Sequence, residues 1–274
     1  MGFHLADDGC RIHVRLDGPK LGAAGVPLVL IPGLGGDGGF WQGVVDRLAP
    51  SRSLIRIDHR GAGQSDRPDP DTGEGYTIPR IARDVLGVLD DLDLPRAHVI
   101  GHSTGGMIGQ TLAATAPDRL AGLVISASWD RIDLRFRLMF EARLALLEQA
   151  GPVAYHKLTQ ALGYDPDWIE AHAAALEAEL AAAPARLDPL AVQAARIRML
   201  LSHDVHDLLG QIRTPSLVMG GMDDALIPYA YSERLAQAIP GAALVQMSGG
   251  HFYPKAYPDR FATEVAAFLQ GVPA

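Results

Sequence analysis

The residues Gly101-His102-Ser103-Thr104-Gly105 constrain this chain more than any other stretch. They follow the apolar run Ala97-His98-Val99-Ile100 and precede Gly106-Met107-Ile108. That order reads as strand, tight turn, helix, with a serine at the apex. A serine there takes a strained backbone conformation, and a Cβ at Gly101 or Gly105 would crowd the turn. The turn exposes the hydroxyl at a strand end and aims a helix N-terminus at any oxygen beside it. A glycine-rich chain produces Gly-x-Ser-x-Gly by chance as well, and Ser103 as a plain helix cap is the competing reading. The surrounding chain has to decide between them.

The flanking pattern favours the nucleophile. Residues 3–16 alternate around Asp8-Gly9, as in a hairpin. Val26 to Ile31 is a continuous apolar run, expected of a strand buried on both faces. Further strands are expected at Leu54–Ile57, Val99–Ile100, Leu123–Ile125, Leu217–Met219 and Leu244–Met247. Ile78, Ile81, Val85, Val88, Leu89 and Leu92 recur at helical spacing, and helices are expected from Met107 to Ala116 and from Phe261 to Leu269. Strands alternating with helices imply an α/β fold with a doubly wound, mostly parallel sheet. The alternation stops between 128 and 207. There the pattern is helical: Leu134–Gln149, Val153–Leu162, Trp168–Ala183 and Ala191–Leu201, separated by Gly151-Pro152, Asp165-Pro166 and Pro184. We therefore expect a core made of 1–127 and 208–274, with 128–207 inserted as a helical cap.

A serine nucleophile needs a base, and the base needs an orienting acid. Leu217-Val218-Met219 runs into Gly220-Gly221-Met222-Asp223-Asp224, and the last strand ends at Ser248-Gly249-Gly250-His251. Parallel strands present their C-terminal ends together, so Asp224 and His251 fall on the sheet edge that carries Ser103. Asp224 is favoured over Asp223, which reads as a loop-shaping carboxylate. The expected catalytic set is Ser103, Asp224 and His251. The expected oxyanion donors are the backbone N–H of Thr104 and of Leu34, in the glycine-rich loop after the Val26–Ile31 strand. In the cap, Trp129, Phe136, Met139, Phe140, Tyr155 and Trp168, together with Phe252 beside the histidine, are candidates to line a substrate pocket. Ordinary packing explains them equally well. Arg131, Arg135 and Arg137 read as a solvated face, with one of them reading a substrate carboxylate as the alternative.

Other chemistries find less support. Gly33 to Gly39 lacks the pattern of a phosphate-binding loop. His203 and His206 have no further ligand cluster around them, so no metal and no cofactor are expected. A net charge of −8 argues against nucleic acid and anionic membrane surfaces. The single cysteine, Cys10, excludes an intrachain disulfide and suits a reducing compartment. The N-terminus does not read as a secretory signal, and no apolar stretch is long enough to span a bilayer. The expectation is a soluble, cytoplasmic protein, with a homodimer left open.

Ile31-Pro32-Gly33-Leu34-Gly35-Gly36, Asp58-His59-Arg60-Gly61-Ala62-Gly63-Gln64-Ser65, the 101–105 turn, Gly221-x-x-Asp224-x-x-x-Pro228 and Gly250-His251 together resemble the α/β-hydrolase superfamily over essentially the whole chain. Within it the chain is similar to the aminoacrylate hydrolases of pyrimidine degradation, through Ser128–Ile132, Asp165–Trp168 and Phe40-Trp41, and to the 3-oxoadipate enol-lactonases and related small esterases. Pro32 departs from the histidine that many members carry there. The resemblance implies an eight-stranded sheet and carries the triad over to Ser103, Asp224 and His251. It disfavours the branches that use aspartate as nucleophile. The reading is a cofactor-independent serine hydrolase that, with water, cleaves a small ester, lactone or amide- or carbamate-like acyl substrate. The alternatives are a non-hydrolytic or C–C bond-cleaving enzyme on the same scaffold, and a ligand sensor with slow turnover.

Overall fold

Side chains along a strand alternate between faces, so an uninterrupted apolar run must be covered on both sides. Leu28 and Leu30 pack into one apolar layer, and Val29 and Ile31 into the other. A computed structural model, which describes residues 2–72 and 75–272, shows what covers them. The strands are β1 (Gly2–Leu5), β2 (Arg11–Asp17), β3 (Leu28–Ile31), β4 (Leu54–Ile57), β5 (Ala97–His102), β6 (Leu120–Ser126), β7 (Ser216–Gly221) and β8 (Ala243–Met247). They form one eight-stranded sheet in the order β1-β2-β4-β3-β5-β6-β7-β8. The β1–β2 and β2–β4 pairs are antiparallel and the rest are parallel.

Helices α1 (Gln42–Leu48), α2 (Ile78–Asp91) and α3 (Thr104–Thr115) follow β3, β4 and β5. Between β6 and β7 lie α4 (Leu134–Gly163), α5 (Pro166–Ala171), α6 (Ala173–Ala182) and α7 (Leu190–Leu200). Helix α8 (Tyr229–Ala238) joins β7 to β8, and α9 (Tyr253–Ala256) and α10 (Pro258–Gln270) close the chain. Val85 of α2, Met107 and Leu112 of α3 and Leu235 of α8 share one apolar cluster. Val44 and Leu48 of α1 and Phe261, Val265 and Leu269 of α10 belong to the other. Among the described residues no helix is long and apolar enough to cross a membrane.

Several helix boundaries differ from the sequence reading, and three of the differences have a local reason. Helix α3 starts at Thr104, three residues before the apolar pattern begins at Met107, because Gly105 and Gly106 carry no side chain to show a period. The two segments expected on either side of Gly151-Pro152 form one kinked run, with Gly151 at φ 86° supplying the bend. The segment expected at Trp168–Ala183 is broken at His172 into α5 and α6.

Strand order reverses between β3 and β5, so the loops after them diverge and leave a crevice at their C-terminal ends. Two buried ionic clusters tie the loop after β4 into this edge. Asp58 accepts from the Gly38 N–H at 2.8 Å, the Gln64 N–H at 3.0 Å and the His13 ring at 2.8 Å. Arg60, fully buried, donates to Asp84 through Nε (2.7 Å) and Nη2 (2.8 Å), and to Asp8 through Nη1 (2.7 Å). Arg80 shares the Asp84 carboxylate at 2.9 Å. Removing Asp84 would leave two buried guanidinium groups with only partly or largely exposed carboxylates, Asp8 for Arg60 and Asp7 for Arg80. Asp84→Ala should therefore lower unfolding stability by about 3–5 kcal/mol in a urea titration. A loss under about 1 kcal/mol, the range of an exposed pair, would refute this role for the cluster.

Candidate active site

Ser103 leaves β5 with φ 54° and ψ −113°, a region that non-glycine residues rarely enter. Its neighbours show why the turn is built from glycine. A Cβ on Gly101 would lie 2.1 Å from the Gly105 carbonyl oxygen, and one on Gly105 would lie 2.1 Å from the Ile31 oxygen. The Ser103 N–H donates to the Ser126 carbonyl at 2.7 Å, which anchors the turn to β6. The Ser103 hydroxyl has no hydrogen-bond partner among the described residues and lines a cavity of about 720 Å³.

His251 sits past β8 on the same edge and lines the same cavity. Its Nδ1 is 2.7 Å from Asp224 Oδ2, with both residues buried. The other carboxylate oxygen, Asp224 Oδ1, accepts from the Leu226 N–H at 2.9 Å and the Ile227 N–H at 2.7 Å. This fixes the carboxylate and makes Nδ1 the protonated ring nitrogen, leaving the Nε2 lone pair free. The two loops can meet because Gly221 has no side chain: a Cβ there would lie 2.7 Å from the Gly249 oxygen. Asp223 instead accepts from the Gly249 N–H at 3.3 Å and shapes that loop.

The loop after β3 approaches the serine from the other side. A Cβ on Gly33 would lie 3.3 Å from Ser103 Cβ. Neither the Leu34 N–H nor the Thr104 N–H has an acceptor among the described residues. The Leu34 carbonyl accepts from Arg196 Nη2, and the Gly61 carbonyl accepts from Arg196 Nη1 at 3.3 Å. Arg196 thus clasps the loop from α7, and burial pulls its guanidinium below the usual arginine range.

His102 is enclosed between Phe40 (ring centroids 4.8 Å apart) and His251 (4.8 Å). The Tyr253 hydroxyl donates to the Met219 carbonyl at 3.0 Å, so it accepts from Ser126 Oγ at 2.6 Å. Ser126 Oγ in turn accepts from His102 Nδ1 at 3.1 Å. This chain fixes the His102 tautomer. Burial, and then the charge of His251, push its pKa well down.

Of the expected pocket residues, Phe140 and Phe252 line the cavity with Ser103, His251 and Leu34. Thr104 is buried at the start of α3, and Asp224 stands behind His251. Four expected pocket residues lie elsewhere. Trp129 and Phe136 are fully buried in a ring stack, with centroids 4.6 Å apart, and belong to the core. Met139 faces a shallow surface depression with Leu134 and Leu138. Trp168 is stacked between Tyr164 and His172 at 3.8 and 4.1 Å. Tyr155 does line the cavity. Arg135 does not: it donates to the Ala225 carbonyl at 2.7 Å and the Leu226 carbonyl at 3.2 Å, bracing α4 against the loop that carries Asp224. The sequence reading did not single out Arg143, Thr159 or Arg196, and all three line the cavity.

A serine on a strained strand-to-helix turn thus lines one cavity with a histidine bonded to a buried aspartate, at the edge of a doubly wound sheet. Residues 26–151 match the family model of the α/β hydrolase fold, and residues 90–262 match that of the serine hydrolases called FSH1. The chain is 38% identical, over 95% of its length and 96% of the relative's, to RutD of Caulobacter vibrioides, which is named as a carbamate hydrolase. RutD of Variovorax paradoxus, named the same way, is 36% identical over 94% of this chain and 92% of its own. Among solved structures, the enol-lactonase of Burkholderia xenovorans superposes with a TM-score of 0.87 at 28% identity, covering 98% of this chain and 99% of that one. The protein belongs to the α/β-hydrolase family and is a hydrolase.

Three buried imidazoles give the fold a pH signature. Burial holds His59 at a pKa of about 3 and His98 at about 4, and it holds His102 well below its ordinary value. The folded pKa of each lies below the unfolded one, so the unfolded chain binds more protons between the two. Their stability contribution is complete above about pH 6.5 and is lost as pH falls toward 4 and 3. Each such group adds a slope of up to about 1.4 kcal/mol per pH unit. Urea midpoints measured from pH 7 to pH 4 should fall steeply for the wild type and less steeply for His59→Gln. Parallel profiles would show that His59 is not held neutral.

Proposed function

We propose that the protein cleaves a small ester, lactone or carbamate-like acyl compound through a covalent acyl-serine intermediate. The observation that carries this reading is the 2.7 Å bond from His251 to the fixed Asp224 carboxylate, on the edge where Ser103 presents an unbonded hydroxyl. His251 Nε2 takes the hydroxyl proton as Ser103 Oγ attacks the acyl carbon, and then returns it to the leaving group. Asp224 keeps Nδ1 protonated and stabilises the imidazolium. Charge that develops on the acyl oxygen is met by the Leu34 and Thr104 N–H groups, whose lack of internal acceptors supports this role. One such donor is worth about 2.7–4 kcal/mol of transition-state stabilisation. Water then attacks the acyl-serine by the same proton route in reverse. The helices between β6 and β7 serve as the cap that encloses the substrate. The likeness to the RutD proteins puts carbamate-like substrates first, ahead of the lactones suggested by the enol-lactonase.

A fluorophosphonate probe should label the wild type and fail to label Ser103→Ala. Labelling that persists in the variant would eliminate Ser103 as the nucleophile. The acid is tested separately. Asp224→Asn should lower kcat on a short aryl ester by about 10⁴-fold, because the imidazole then adopts the wrong tautomer. Asp223→Asn, which only loosens a loop contact, should cost less than about tenfold. Comparable losses in the two variants would reverse the assignment.

A further inference from the structure

We propose that Arg143 and Tyr155 form an anion-reading subsite in the cavity of Ser103, and that the acyl substrate carries a carboxylate away from its reacting bond. This inference rests on the serine-hydrolase reading and narrows its substrate. Arg143 is 2% exposed, and its guanidinium carries five N–H donors. Two are spent through Nη2, on the Tyr155 hydroxyl and on Thr159 Oγ1, each at 2.8 Å. Nε and Nη1 are buried with no acceptor, so three N–H groups are left over. No carboxylate among the described residues pairs with Arg143. The Tyr155 ring lies 4.5 Å from its Cζ and the Phe140 ring 5.9 Å, and neither supplies a hydrogen-bond acceptor. Tyr155 accepts from Arg143, and its own proton goes to no acceptor among the described residues.

Of the other cations of this cavity, half-buried Arg15 has no ion pair among the described residues, but it stands on β2, outside the wall that α4 forms, and three others have carboxylate partners. Arg67 and Arg196 share Asp188 at 2.6 and 3.7 Å, and Lys255 lies 3.6 Å from Glu179. Arg143 is left as an unpaired buried charge, an expensive arrangement for the folded protein standing alone. A carboxylate entering the cavity would bring an opposite charge to Arg143, accept from the Tyr155 hydroxyl and reduce the penalty.

The test compares 4-nitrophenyl hemisuccinate with its neutral counterpart 4-nitrophenyl butyrate. Arg143→Met should lower kcat/KM for the hemisuccinate by roughly 10- to 100-fold more than for the butyrate. Tyr155→Phe should shift the same ratio in the same direction by a few-fold. Equal losses on both esters would overturn the subsite and leave Arg143 as a structural residue. A second measurement does not depend on those variants folding or on turnover. Calorimetric titration of Ser103→Ala should show monomethyl succinate binding at least tenfold more tightly than dimethyl succinate, and equal affinities would overturn the proposal. Absent fluorophosphonate labelling would instead count against the nucleophile and leave the titration decisive for the subsite.

Discussion

Everything at this site depends on three pieces of backbone approaching within contact at one point. Strand β5, the first turn of α3 and the end of β3 meet at Gly101, Gly105 and Ile31, with no room for a Cβ on either glycine. The serine between the two glycines takes a positive φ, a strain of about 1–3 kcal/mol that persists only where the surroundings over-determine it. Here the surroundings do so. The Ser103 N–H is held by β6, its carbonyl accepts from Gly106 and Met107, and α3 is buried for most of its length against the sheet. The strain is local, and the packing that holds it comes from both the strand and the helix.

Around that point, buried polar groups do what apolar packing cannot, because hydrogen bonds set direction. Asp224 receives three donors and orients one imidazole. The chain from the Met219 carbonyl through Tyr253 and Ser126 orients a second imidazole, His102, which lies against the first. Arg196 reaches from α7 to the Leu34 carbonyl and so couples the helices between β6 and β7 to the loop beside the serine. A guanidinium suits this task because its planar donors meet two carbonyls from one fixed position. Movement of α7 would therefore be felt at the Leu34 peptide.

The strands were readable because continuous apolar runs such as Leu28–Ile31 have few other uses, and parallel order follows from alternation with helices. The edge that brings Ser103, Asp224 and His251 together followed from the same rule, since each residue stands just past a strand's C-terminal end. The helices between β6 and β7 were readable as helices but not as walls. Trp129 and Phe136 look like pocket residues in sequence, yet they face a ring stack in the core, while Phe140, one turn from Phe136, reaches the cavity. Which side of a helix faces a cavity depends on the crossing of that helix over others, and no single-helix pattern records it.

One signal was nevertheless available. In α4 the buried positions 136, 140, 143 and 147 follow the spacing of an apolar stripe, and position 143 is arginine. On a solvated face an arginine at any position is unremarkable, but on that stripe it breaks the pattern its neighbours keep. A leucine there would satisfy both the helix and the core at no electrostatic cost. The same reasoning applies to Arg196, flanked by the buried Ala194 and Ile197 of α7, and its hydrogen bonds to two loop carbonyls account for it. Arg143 has no such account among the described residues beyond Tyr155 and Thr159. Where a sequence sets aside its own local rule beside the proposed nucleophile, the cavity is the place to look for the balancing interaction.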